Sequence, residues 1–396
     1  MGCGNAVKGA DRNLLRQETI MYFEFDNLSQ ALVGLSLSLN ANGVWTKRGT
    51  NPAGNTCLEF PEAVLIKIEN PLNRYVFVPE RKWNKTLGWI ESLWIARGDN
   101  SLEMPSAYVK NLLTFSDDGE TMRAGYGPRI RAFGGHLWKK GVRLEDGSPL
   151  YWMKWQYDSR YGNGTVPVVD QLKFVIDKFK QDPTTREAVI TIHDPIADDF
   201  NGKEILRTKD TPCTRSIHFM IVNGRMNCCV DMRSNDLFWG FSAVNVFNFT
   251  LMQEYVAAMV GVPVGVYFHK VDNLHIYEGS LPMLQSIIAA NETPRGVEMW
   301  SDWYRFSDCS DWKGYKHTHQ TLEGFDARIG LLSQFERGMR GADDDLPYSN
   351  DEALDEIEAK FWDEPMFRDW AKVIYRKWSK DTAVTFDNPY LTKLFV

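Results

Sequence analysis

Residues 216–271 constrain the fold more than any other part of the chain. Apolar-rich runs at 216–222 and 225–231 flank Asn223-Gly224. That pair tolerates the positive φ of a type I′ turn, so the spacing predicts a β-hairpin. Residues 245–260 are too long and too apolar for a strand. Gly261 and Pro263 stop them, so they are expected to form a largely buried helix. A strand at 265–271 and an extended Leu274-His275-Ile276-Tyr277 segment follow. Elsewhere, short apolar runs with Gly, Asn and Pro turns predict strands between 21 and 80, and residues 188–193 predict another. Helices are predicted at 84–97, capped by Asn84 or Thr86 and ended by Gly98, and at 166–181, closed by Asp182-Pro183. Strands and helices mix without regular βαβ alternation, which favours an α+β fold over a doubly wound sheet.

The remaining segments differ in character. Residues 1–20 are polar and read as a loose arm. Residues 318–380 are charged and amphipathic, and are expected to be an added helical segment, with 381–396 as a tail. The chain has 396 residues, 43% hydrophobic, and carries a net charge of -7. That charge argues against a general nucleic-acid groove, yet a few local arginines can still hold a small anion. Six cysteines, at 3, 57, 213, 228, 229 and 309, form no C-x-x-C pair and have no His cluster at zinc spacing, so no metal is expected. Reduced thiols and the absence of a long apolar run point to a cytoplasmic protein with no membrane partner.

Several residue types suggest chemistry, each with a plainer alternative. Leu87, Ile90, Glu91 and Trp94 share one helix face. A carboxylate there either lines a pocket, where desolvation suits it to proton transfer, or snorkels to water. Cys213, after Thr211-Pro212 at a strand entry, is either a nucleophile or packing. Arg233-Ser234-Asn235-Asp236 is either a phosphate cradle or a polar turn. His275 and Tyr277 share a face and could grip sugar hydroxyls or simply fill the core.

The order and spacing of these groups resemble the thymidylate synthase family, including the pyrimidine-nucleotide hydroxymethylases of phages. Thr211-Pro212-Cys213 resembles the family's Pro-Cys nucleophile motif, and Met232-Arg233-Ser234-Asn235-Asp236 its phosphate segment. Leu274–Tyr277 is similar to its sugar-contacting His-x-Tyr. Glu91-Ser92-Leu93-Trp94 resembles the helix of the catalytic glutamate, and Gly125-Tyr126-Gly127 the active-site Tyr-Gly. Asp182-Pro183-Thr184-Thr185-Arg186 resembles the loop whose arginine crosses the dimer. Arg48, before Gly49-Thr50, is similar to the N-terminal phosphate arginine, and 388–396 to the tail that closes over folate. The resemblance implies a mixed sheet flanked by helices, with a catalytic domain at 21–317. It implies a homodimer that takes a pyrimidine nucleotide monophosphate and 5,10-methylenetetrahydrofolate. Cys213, Glu91 and Tyr126 would be catalytic, and Arg48, Arg186, Arg233 and Ser234 would hold phosphate. His275 and Tyr277 would bind sugar. Leu112, Phe115, Asp236 and Val396 would face folate.

Departures from the family pattern refine the expectation. Thr214 stands where synthases have His, and Asn273 where they have Asp. Leu112 and Phe115 replace two tryptophans, and a smaller group at 112 would admit water. These differences favour a hydroxymethyl product over a methyl one; a true thymidylate synthase or a catalytically silent nucleotide-binding relative are the alternatives. The family reads its base eleven residues after the phosphate arginine, with an amide for uracil or a carboxylate for cytosine. Here that position is Val244, which cannot hydrogen-bond a base. Either a one-residue bulge brings in Asn245, implying uracil, or His218 or Arg215 reads the base.

Overall fold

The computed structural model describes residues 21–49, 55–133, 142–143, 149–150, 169–201, 204–291, 309, 311–317, 321–342 and 349–395. The expected N-terminal arm, residues 166–168 of the predicted second helix, and Val396 lie outside these.

The hairpin forms where Asn223-Gly224 demands it. Strand Thr214–Val222 pairs antiparallel with Arg225–Met232, and both turn residues have positive φ, 51° and 72°. This hairpin sits within a six-stranded mixed sheet. On one side it continues through Val264–Val271 and Val64–Ile68 to Met21–Phe25, and on the other it ends at Val189–Thr191. A second, four-stranded sheet joins Asn235–Asp236, Leu274–Tyr277, Asn55–Glu59 and Val44–Arg48. The expected α+β architecture is observed.

Strand alternation divides the hairpin residues between two faces. Ile217, Phe219, Cys228 and Val230 point into the core, where the Val246–Val260 helix packs. His218, Met220, Cys229, Val266 and Phe268 point the other way and remain half-buried.

The helix predicted at 84–97 spans Leu87–Ala96. Asn84 Oδ1 accepts from the backbone N–H groups of Thr86 and Leu87, at 3.2 and 3.3 Å, which helps satisfy the donors at the helix start. Asp170 caps Gln171–Gln181 in the same way. Among the described residues beyond 320 come four helices, Leu322–Arg340, Asn350–Phe361, Pro365–Ser379 and, in the tail, Pro389–Phe395. They pack on the rest of the chain: Trp370 lies tilted against Trp89, ring centroids 5.4 Å apart, and donates its indole N–H to Trp89 O at 2.9 Å. Arg131 bridges to Asp326 at 2.7 Å.

Two elements depart from expectation. Leu28–Asn42, inside the stretch expected to form strands, is an α-helix capped by Asn27 and buried along most of its length. The helix expected at 245–260 has a different start. The α-helical part begins at Val246, but Leu237–Asn245 ahead of it is π-helical. Asp236 caps this segment through the N–H groups of Phe238 and Trp239, at 2.7 and 2.5 Å. Buried Arg81 donates to Phe238 O at 2.5 Å, and Trp83 Nε1 to Ala243 O at 3.0 Å. These side chains serve carbonyls along the widened turns, where backbone pairing is less regular than in an α-helix.

Candidate active site

Cys213 lies just before the hairpin strand that begins at Thr214, so the sheet fixes its position. Burial pushes the thiol above its ordinary range; Arg233 pulls it back, and Asp210 pushes it further up. Arg233 is well placed for this. It donates to Pro212 O and Thr211 O, both at 3.0 Å, and its Nη2 lies 3.7 Å from Cys213 Sγ. Asp210 is anchored by Ala124 N–H at 2.7 Å.

Tyr126 reaches the same point from another helix, Tyr126–Arg131. Its hydroxyl accepts from Thr214 N at 3.2 Å and pairs with Thr214 Oγ1 at 3.0 Å. Burial raises the phenol pKa, and the charges of Cys213 and Glu91 add to that rise. Cys213, Tyr126 and Glu91 are thus electrostatic neighbours. Glu91 is the half-buried position in a helix whose other residues are all buried. Desolvation pushes its carboxyl up to about 7, against a bond from Asn248 Nδ2 at 2.9 Å.

The widened turn decides where the helix presents its amides. A π-helical ring closes over one more residue than an α-helical ring, which makes room for one residue beyond the expected eleven. Val244 packs with Leu87, Ala243 and Val109. Asn245 is turned toward Gly240, where an added Cβ would lie 1.8 Å from Asn235 Oδ1 and 2.9 Å from Asn245 Oδ1. Only glycine fits between those two amides. Asn235 is held by His269, itself bonded to Tyr267 at 2.8 Å. Burial lowers the His269 pKa to about 3, so the imidazole is neutral.

The other two base candidates point elsewhere. Arg215 is engaged by Asp231 and Asp272, both at 2.7 Å. His218 faces away from the core, and its Nε2 has no hydrogen-bond partner among the described residues.

His275 and Tyr277 share a face, their rings 5.0 Å apart. Burial raises the Tyr277 pKa, with Asp236, Cys57 and Cys213 adding to it, so Tyr277 belongs to the Cys213 cluster. Arg48 joins from the second sheet. It is paired with Glu59, which also accepts from Asn273 at 2.9 Å and stands opposite His275 in register. Ser234 is half-buried beside Arg233. Asp236 is buried with a raised pKa, and its Oδ1 is occupied by the helix cap. Phe115 is exposed and Leu112 half-buried in the short helix Lys110–Phe115. Arg186 is exposed in the loop after Gln181. Asp210 and Asn248 are site residues that sequence reasoning missed. Asp210 precedes Cys213 by three positions in a polar stretch, and Asn248 is 157 residues from Glu91, with no local signal.

This arrangement can be compared with known families. The thymidylate synthase family model matches residues 73–326, more than half of the chain. The chain belongs to the thymidylate synthase family. Relatives within that family include a deoxyuridylate hydroxymethyltransferase of Bacillus phage SP01, 35% identical over 214 residues. That match covers 54% of this chain and 49% of the phage protein. The protein of the same name from Pseudomonas phage M6 is 31% identical over 276 residues, covering 68% and 67%. A thymidylate synthase of Bacillus subtilis subsp. natto is 25% identical over 200 residues, covering 49% and 68%. The chain thus spans about half the length of the SP01 relative and about two thirds of the M6 relative. Among the described residues of this thymidylate synthase family member, no helix is long and apolar enough to cross a membrane.

Proposed function

We infer that the protein transfers a one-carbon unit from 5,10-methylenetetrahydrofolate to C5 of deoxyuridine monophosphate and releases the 5-hydroxymethyl nucleotide. The observation that carries this reading is the meeting of Cys213, Tyr126 and Glu91 at one site. A binding module needs neither a thiol nor a desolvated acid there.

Cys213, deprotonated beside Arg233, adds to C6 of the ring and makes C5 nucleophilic. Glu91, near neutrality in its pKa, moves protons to and from the ring through water. Asn245 holds the uracil edge, since an amide offers both a donor and an acceptor. Arg233 and Ser234, with Arg48 and with Arg186 of a second subunit, hold the phosphate. His275 and Tyr277 grip the sugar. The exposed aromatic and aliphatic groups Leu113, Phe115 and Trp239 suit a flat heteroaromatic co-substrate. 5,10-Methylenetetrahydrofolate supplies carbon at the methylene level. C5 attacks that methylene, and loss of the C5 proton and departure of tetrahydrofolate leave an exocyclic methylene. Water adds to its carbon, and expulsion of Cys213 restores the C5=C6 bond. The activity of the phage relatives and the small side chain at 112 favour water over hydride. The cysteines among the described residues are free thiols, in keeping with a cytoplasmic enzyme. A homodimer is part of the reading, because the half-buried sheet face and exposed Arg186 both call for a second copy.

The test is to incubate the protein with 5,10-methylenetetrahydrofolate and each of dUMP, dCMP, UMP and CMP, then weigh the products. A gain of CH₂O on dUMP alone supports the reading. A gain of CH₂ with dihydrofolate would make the chain a thymidylate synthase proper. Tight binding without product would leave a silent nucleotide-binding protein.

A further inference from the structure

Glu91 is held by one oxygen. Asn248 Nδ2 donates to Oε1 at 2.9 Å, while Oε2 takes no hydrogen bond from the described residues. The amide that makes this bond is itself fixed, because Ser92 Oγ donates to Asn248 Oδ1 at 2.8 Å. An amide whose oxygen accepts a hydroxyl proton must present its NH₂ on the other side. That NH₂ favours an ionised carboxylate over a protonated one. Asn248 is 3% exposed and Ser92 5%, so either group left unpaired would pay a desolvation penalty. The pair is a built feature of the site rather than a surface contact. Asn248 also lies three residues beyond Asn245, on the same face of the helix. The widened turn that brings Asn245 round therefore phases Asn248 against Glu91 as well.

We propose that Asn248 is a positioning residue for the reaction: oriented by Ser92, it fixes Glu91 through one oxygen and leaves the other to exchange protons with water at the nucleotide base. The proposal rests on the folate-dependent reading above. The charges around Glu91 are few. Tyr126 faces it from the helix Tyr126–Arg131, with Cys213 beyond. From the helix Val246–Val260 comes neutral Asn248, while Glu254 further along is paired with Arg74 at 2.6 Å. Behind the Glu91 helix, Pro365–Ser379 presents the uncharged indole of Trp370. In Leu322–Arg340, Glu336 is paired with Arg340 at 2.9 Å and acts on Arg97, past the end of the Glu91 helix. No titratable neighbour other than Tyr126 and Cys213 competes with Asn248 for control of Glu91 among the described residues.

The experiment measures tritium release from C5 of labelled deoxyuridine monophosphate, with 5,10-methylenetetrahydrofolate, as a function of pH. In Asn248→Leu the acidic limb of kcat moves up by about one pH unit, with KM for the nucleotide unchanged. Ser92→Ala keeps the buried amide but frees its orientation, and moves the limb in the same direction by less. A fall in kcat with the acidic limb unmoved would reduce Asn248 to a structural role and overturn the proposal. So would a wild-type profile in both variants. Should Asn248→Leu fail to fold, Ser92→Ala decides alone: a shifted limb supports the proposal and an unmoved one ends it. Absence of release by the wild-type enzyme would remove the folate-dependent reading itself, and the role of Asn248 with it.

Discussion

Cys213 sits between opposing charges, and the balance sets how much thiolate it offers. Burial and Asp210 hold the thiol up, while Arg233 holds it down. Asp210→Asn removes one of the two terms that raise it, and its amide oxygen can still accept from Ala124 N–H. The pH profile of alkylation by iodoacetamide is expected to move down by roughly half to one unit in Asp210→Asn, and up in Arg233→Gln. An unmoved profile in Asp210→Asn would mean the thiol does not feel that carboxylate. Glu91 gives a stability counterpart. Its folded value of about 7 exceeds the ordinary 4.5, so ionisation opposes folding. The stability it contributes is full below the ordinary value and lost as pH rises through 7. Glu91→Gln escapes that loss. Relative to wild type it is expected to gain on the order of 1–3 kcal/mol by about pH 8 and nothing in acid, while losing activity; denaturant melts at both pH values check it. At this scale the sequence showed Cys213, Glu91 and Tyr126 because each sits in a short recognisable string. Asp210 and Asn248 act through space on partners that no local pattern names.

On the proposed reading, base recognition depends on the widened turn at Leu237–Asn245. The hairpin and the long helix were legible because turn chemistry and apolar length are local signals. The π-helical segment was not, since a stretch as nearly apolar throughout as Leu237–Val244 shows no period that separates one helical pitch from another. What the sequence did carry was a count, one residue too many between Arg233 and the nearest amide. The structure contains the geometry that can absorb it, with Arg81 and Trp83 bonded to its carbonyls. If the turn presents residue 245 to the base, Asn245→Asp should exchange the uracil preference for cytosine, because a carboxylate accepts from the exocyclic amine. The ratio of kcat/KM for dCMP over dUMP is expected to rise on the order of a hundredfold. Val244→Asp, buried against Leu87 and Val109, should destabilise the protein and leave that ratio alone. The reverse pattern would mean that the extra residue is absorbed elsewhere.

Across the whole molecule, the helix Pro365–Ser379 holds the tail. Asp369 accepts from the backbone N–H groups of Asp387 and Asn388, both at 2.8 Å, and from Tyr315 Oη–H at 3.0 Å. Arg368 pairs with Asp387, and Arg376 donates to Phe395 O at 2.7 Å. The amphipathic character of this segment was legible, but its attachments span the chain and were not. The opposite side of the molecule is less complete. The outward face of the six-stranded sheet leaves Met220, Phe268 and Val266 half-buried, and buried His218 Nε2 has no hydrogen-bond partner among the described residues. Arg186 lies exposed beside Glu187, which is tied to Lys178. A second copy packed on this face would cover the apolar groups, and its Arg186 would serve the first copy's phosphate. Cys213→Ala and Arg186→Ala would then each be inactive, for reasons located in different subunits. Mixed and allowed to exchange, the two should recover partial activity, because one site of each hybrid dimer has both its own Cys213 and its partner's Arg186. A dimer by light scattering with no recovery would place Arg186 within its own subunit's site. A fully active monomer would remove the shared site altogether.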